Sequence, residues 1–261
     1  MRNLTIIDQT TQEENAFLLP GEWNELTNEQ LLFLIGLVNK NISAEEIKLK
    51  MFLFCIRGRV RERNEDFSFR IKIGKLNYDM SAEETFAICE IFSYLFIEKE
   101  NQIQINPQLV KNPFPVIRIG WVKLYGPADG LTDYSYQQFM ELQIAQSEAG
   151  ASPKEMDMFL SLMYHRKNGK QSKLFRFVSA RKKVAILWFY LGCMNFFQKK
   201  WPLPFSGESS SDIVDGQMRI VDALAKNDVT KKKQVRDSDL YEAFYTMQIA
   251  AEEAEKLKEK I

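Results

Sequence analysis

Residues 184–197 read VAILWFYLGCMNFF, with Arg181, Lys182 and Lys183 just before them and Lys199 and Lys200 just after. How this stretch is housed decides the class of the protein. It is 14 residues long, and a helix needs about 20 apolar residues to cross a bilayer, so it reads as a helix buried in a protein core. A helix that is apolar all round needs other elements packed on every side. The rest of the chain supplies the start signals for those neighbours.

In five places a Ser or Thr precedes a Glu or Gln by three residues, the pattern in which each side chain satisfies the other's free backbone amide at a helix start. The pairs are Thr27 with Gln30, Ser43 with Glu46, Ser81 with Glu84, Ser135 with Gln138 and Ser152 with Glu155; after the last, Pro153 takes the favoured first helical position. Leu26, Ile42 and Tyr134 precede three of these caps, spaced to staple onto Leu31, Ile47 and Phe139. These signals predict helices over about 28–39, 44–57, 82–98, 136–148 and 153–166, and apolar periodicity adds 178–198, 211–226 and 237–260. One segment has the other period. Phe67, Phe69, Ile71 and Ile73 alternate with polar residues, Gly74 and Lys75 make a two-residue turn, and Leu76, Tyr78 and Met80 alternate again, so 67–80 is predicted as a β-hairpin. The expected class is mainly α, a helical protein with one small N-terminal β-hairpin.

Pro107, Pro113, Pro115 and Pro127 interrupt any long helix between 106 and 130. They divide the chain into an N-terminal α+β part, 1–105, a proline-containing connection, 106–130, a helical part, 131–236, and a C-terminal amphipathic helix, 237–261. Hydrophobic residues at 45% and charged residues at 27% exclude wholesale disorder. Lys plus Arg and Asp plus Glu balance at 35 each, so no global field draws the molecule to nucleic acid or to an anionic membrane. Residues 1–10 lack the pattern of a secretory signal, which makes the cytoplasm the expected location.

Catalytic and metal chemistry find little to build on. Cys55, Cys89 and Cys193 are an odd number at wide spacing among apolar neighbours, and read as buried free thiols rather than a disulfide framework or a zinc knuckle. His165 is the sole histidine and is read at the cationic end of helix 153–166, with no nucleophile or orienting acid beside it. The glycines form no phosphate loop. No catalytic, metal or cofactor-binding residue is assigned, and a non-enzymatic protein is expected.

Two surfaces carry the functional expectations. Between Arg166 and Lys200 there are ten Lys or Arg residues and no Asp or Glu, interleaved with Phe175 and Phe177. Lys170, Lys173, Arg176, Arg181, Lys182 and Lys183 are the candidates there for tracking phosphates, although such cations can also bracket a buried helix and meet acidic faces elsewhere. In the last segment Leu240, Phe244, Met247, Ala251, Ala254 and Ile261 recur at helical steps, a stripe suited to docking on another helix of its own domain or of a partner. Lys231 to Lys233 are read as a linker that would let this helix move.

The run Leu124-Tyr125-Gly126-Pro127-Ala128-Asp129-Gly130-Leu131, the helix start Tyr136 to Phe139, the helix end Leu162-Met163-Tyr164-His165-Arg166, and the N-terminal Leu19-Pro20-Gly21-Glu22-Trp23 with Leu26-Thr27 resemble uncharacterised proteins of Bacteroidetes phages and prophages. The resemblance implies a non-enzymatic phage assembly or virion protein of the host cytoplasm. Most specifically it implies a tail assembly chaperone that binds a helical partner such as a tape-measure protein, or a second copy of itself. A nucleic-acid-binding protein using residues 166–200 is the alternative.

Overall fold

Each of the five Ser and Thr caps heads a helix in the computed structural model, which describes residues 1–7, 13–40, 42–63, 68–100, 102–149, 152–206 and 213–258. In all five the cap oxygen accepts the backbone N–H three residues on, and at Thr27, Ser81 and Ser135 the Gln or Glu side chain returns the bond. The chain forms two compact units, Met1–Pro107 and Gln108–Ile261.

The first unit opens with an antiparallel hairpin, β1 (Arg2–Ile7) and β2 (Glu14–Leu19). Helices α1 (Asn28–Val38) and α2 (Ala44–Cys55) follow. Next comes an antiparallel sheet of β3 (Gly58–Arg63), β4 (Phe69–Ile73) and β5 (Leu76–Met80), in the order β3-β4-β5. Gly74, with φ of 60°, makes the two-residue turn between β4 and β5, since that left-handed backbone is cheap only for glycine. Helix α3 (Ala82–Cys89) runs into a 3-10 segment, Glu90–Leu95, and the unit closes with a hairpin of β6 (Phe96–Lys99) and β7 (Gln102–Ile105). Its core comprises Trp23, Leu34, Ile35, Met51, Phe52, Ile71, Phe92 and Leu95.

The second unit begins with a hairpin of β8 (Val116–Ile119) and β9 (Val122–Tyr125). Helices α4 (Tyr136–Glu148), α5 (Pro153–Leu162) and α6 (Ala180–Lys200) follow. The last three are α7 (Ile213–Leu224), α8 (Lys232–Asp237) and α9 (Leu240–Lys258). The apolar stretch 184–197 lies inside α6, where Ile186, Phe189, Tyr190, Cys193 and Phe197 are fully enclosed. Among the described residues no helix is long and apolar enough to cross a membrane.

Several expectations are corrected. Strands are not confined to one N-terminal hairpin: among the described residues the fold is 55% helix and 20% strand, with nine helices and four small antiparallel sheets spread along the chain. Four of the extra strands are only four residues long, too short for alternation to stand out, and β3, GRVRER, carries a single large apolar side chain. The helix expected over 82–98 is α-helical to Cys89, continues as a 3-10 segment to Leu95 and ends there, because Phe96 to Lys99 pair with Gln102 to Ile105. The helix expected over 153–166 stops at Leu162, because His165 is taken into backbone pairing with Tyr125. Lys232 and Lys233 belong to α8, so the expected linker carries helical structure. Phe67, the first residue of the expected hairpin, and Ile261 lie outside the described residues.

Of the expected connection, 106–130, residues 108–130 belong to the second unit. Gly192 on α6 lets the backbone of Leu109 approach so closely that a Cβ there would stand 2.3 Å from the Leu109 carbonyl oxygen. Helix α9 is tied in as well. Asp239 caps it by accepting from the amides of Tyr241 and Glu242 at 2.8 and 3.2 Å, and the Tyr241 hydroxyl donates to the Gly130 carbonyl at 2.9 Å.

Candidate functional site

A buried asparagine organises the base of the β8–β9 hairpin. The Asn112 amide donates from Nδ2 to the Pro127 carbonyl at 2.7 Å and accepts at Oδ1 from the Phe114 N–H at 2.9 Å, so it bridges the two proline-bearing segments that flank the hairpin. The Tyr164 hydroxyl donates to the Phe114 carbonyl at 2.8 Å, and burial pushes this phenol up, against the smaller lowering effect of Asn112. It stays a neutral donor. Gly126 is required beside it, since a Cβ would meet the Tyr164 ring at 2.6 Å.

Above this base two turns leave the fold together. Tyr125, at the end of β9, exchanges both backbone hydrogen bonds with His165, at 2.8 and 3.0 Å, and His165 pairs in turn with Gln171. Both pairings are antiparallel, so the chain after His165 runs back beside β9 and the turn at 166–170 leaves on the same side as the Gly120-Trp121 turn. His165 therefore lies beyond α5 in extended backbone rather than at a helix end, and its side chain is exposed.

This pairing joins two stretches that contain no acidic residue, 101–128 and 158–207. By sequence the second unit carries 23 Lys and Arg against 18 Asp and Glu, and the first carries 12 against 17. The zero net charge of the chain thus conceals a cationic unit and an anionic one.

The cations of the sequence-read segment separate into two groups. Lys183 is bound to Asp157 at 2.7 Å and also donates to the Arg176 carbonyl at 3.2 Å. Lys182 sits 5.3 Å over the Phe114 ring, and Lys200 lies over the rings of Phe196, Trp201 and Tyr241. These serve the fold. Arg166, Lys167, Lys170, Lys173, Arg176 and Arg181 are exposed, and among the described residues none of them forms an ion pair. Arg118 and Lys123, cross-strand partners next to the hairpin turn, are exposed in the same state.

Of the aromatic residues read with this segment, Phe175 is buried against Tyr164, whereas Phe177 is 61% exposed with the Arg176 guanidinium 4.8 Å over its ring. Trp121, at the tip of the β8–β9 hairpin, is fully exposed. The sequence reading missed Trp121. Its signal was a Gly-X turn between the short alternating runs 116–119 and 122–125. The second unit thus presents eight exposed cations without an ion pair among the described residues and two exposed aromatic rings, chemistry that can neutralise anionic groups while offering flat apolar surface.

The C-terminal stripe is used differently from end to end. Leu240 and Phe244 are buried in their own unit, where the Phe244 ring lies 5.1 to 5.5 Å from those of Phe139, Phe197, Trp201 and Phe205. Met247 and Ala251 are half-buried, Ala254 is exposed, and Ile261 lies outside the described residues. The large apolar residues α9 leaves in solvent are others: Tyr245, Ile249 and Leu257.

Elsewhere the chemistry is sparse. A groove of about 520 Å³ in the first unit lies among α2, β3, β4 and α3, but Lys48 and Lys50 on its rim are bound to Glu90 and Glu46. Cys55, Cys89 and Cys193 are free thiols, and burial pushes the first two up to about 11. Among the described residues no group of three His, Cys, Asp or Glu could hold a metal ion. No family model matches the chain, and neither the curated proteins nor the solved structures contain a match.

Proposed function

We propose that the protein is a non-enzymatic nucleic-acid-binding protein whose second unit holds the phosphate backbone. The observation that carries this reading is the joining of two acid-free segments by the Tyr125–His165 pairing, which brings Arg118 and Lys123 together with Arg166, Lys167 and Lys170, while Lys173, Arg176 and Arg181 follow in the same acid-free segment, all exposed and without an ion pair among the described residues. Exposed cations repel one another when crowded, and a polyanion relieves that repulsion while releasing its own counterions. The test is fluorescence anisotropy of labelled DNA and RNA across a salt series. Each phosphate contact should contribute about 0.7 to 0.9 to the slope of log affinity against log salt, and replacing Lys170, Lys173, Arg176 and Arg181 together by Ala should flatten it. Affinity that is absent, or that does not vary with salt, overturns the reading.

A second reading follows from α9 and from the resemblance to phage proteins. Tyr245, Ile249 and Leu257 repeat at four-residue steps, with Glu253 filling the missing step, and form an exposed apolar stripe of the kind a partner helix covers. A phage tail assembly chaperone in the host cytoplasm would use it to hold a helical tape-measure protein. Truncation after Arg236 is a poor probe because it removes Leu240 and Phe244 from the core. The informative variant is Tyr245→Glu with Leu257→Glu. Loss of a helical partner from a pull-down by this variant supports the chaperone reading, and full retention removes it.

A further inference from the structure

We propose that Trp121 is a base-stacking residue and that the nucleic acid bound by the second unit is single-stranded. This rests on the function proposed above and narrows its ligand. The β8–β9 turn demands glycine at position 120, where φ is 57°, but demands nothing of position 121. A tryptophan there is fully exposed and forgoes the roughly 150–250 Å² of burial that makes large aromatic residues useful to a fold. The ring nonetheless stands on a rigid two-strand support whose far end is fixed through Tyr125 and His165.

The neighbouring charges suit the same ligand. Arg118 and Lys123 flank the turn as register partners, and the 166–170 turn, with Arg166, Lys167 and Lys170, leaves the fold on the same side. Farther along, Phe177 offers a second exposed ring with Arg176 over it. A double helix keeps its base faces stacked inside, so it can use the cations but not the rings. An unpaired strand offers both, phosphates to the cations and base faces to the aromatic side chains.

The protein carries its own probe. It has four tryptophans, and Trp23, Trp188 and Trp201 are buried, so quenching of emission by an added oligonucleotide reports on Trp121. The experiment titrates the full chain with an oligothymidylate and with a duplex of equal length, then repeats both with Trp121→Ala and Trp121→Phe. The expected result is saturable quenching by the single strand, weaker binding of the duplex, and about a 10-fold loss of single-strand affinity in Trp121→Ala with the salt slope unchanged. Trp121→Phe should keep most of the affinity, since it keeps a ring. The side chain touches no core, so both variants should melt with the parent chain.

Unchanged single-strand affinity in Trp121→Ala, or duplex preferred over single strand, overturns the stacking role while the salt-dependent binding reading stands. Binding of neither ligand overturns both.

Discussion

Replacing Gly192 by Ala tests whether the proline-containing segment is truly part of the second unit. In an ordinary exposed helix the change would stabilise by about 1 kcal/mol, because alanine is the better helix former. Here the new Cβ would stand 2.3 Å from the Leu109 carbonyl oxygen and 2.5 Å from its amide nitrogen. Both are backbone atoms, so no flexible side-chain end can swing away. Forcing a methyl into a packed site costs about 1–3 kcal/mol. If the segment lifts instead, Leu109, now 3% exposed, loses burial worth about 1.5–3 kcal/mol. The second penalty outweighs the helix gain throughout its range and the first at its upper end, which gives a net loss of about 1–2 kcal/mol. At roughly 2–4 °C per kcal/mol for a unit of this size, the melting midpoint should fall by about 2–8 °C. The assay is thermal denaturation followed by near-UV circular dichroism, which senses the buried Trp188 and Trp201 of this unit. A midpoint equal to or above that of the parent chain would show that Leu109 does not lie against α6.

Other outcomes follow from the same packing. Phe244→Ala removes a ring set among Phe139, Phe197, Trp201 and Phe205, and should cost about 3–5 kcal/mol by chemical denaturation; a loss below about 1 kcal/mol would mean that α9 is not part of the core. Cys55 and Cys89 are raised by burial from 9.0 to about 11, so the unfolded chain gives up these protons before the folded one does. Their contribution to stability is complete below about pH 9 and is lost as pH rises toward about 11. Urea midpoints of the first unit should therefore fall between pH 8 and pH 10.5, and midpoints that stay level would contradict the burial of these thiols.

What could be read in advance was short-range. A Ser or Thr cap and its Glu or Gln partner lie three residues apart, and the bond between them needs nothing from the rest of the chain, which is why Thr27, Ser43, Ser81, Ser135 and Ser152 all head helices. The Gly74-Lys75 turn is equally local, and β4 and β5 pair across it in register. Helix ends were less legible. They depend on competition, as where His165 leaves α5 for Tyr125, forty residues away in the chain.

The sequence by itself determined where the five capped helices begin, that α6 is a core helix, and that residues 158–207 hold cations without acids. Only the tertiary structure decided which charges are free. Lys183 is neutralised by Asp157 and Lys200 is sheltered by three rings, while Arg118 and Lys123 are added from another segment. It also decided that α9 spends Leu240 and Phe244 on its own core and leaves Tyr245 and Leu257 outside. The physical reason is that a cap or a turn is closed by neighbours in the chain, whereas exposure and pairing are set by whatever folding brings alongside. Trp121 shows the difference: an ordinary turn residue in the sequence, it is a fully exposed ring among unpaired cations in the fold.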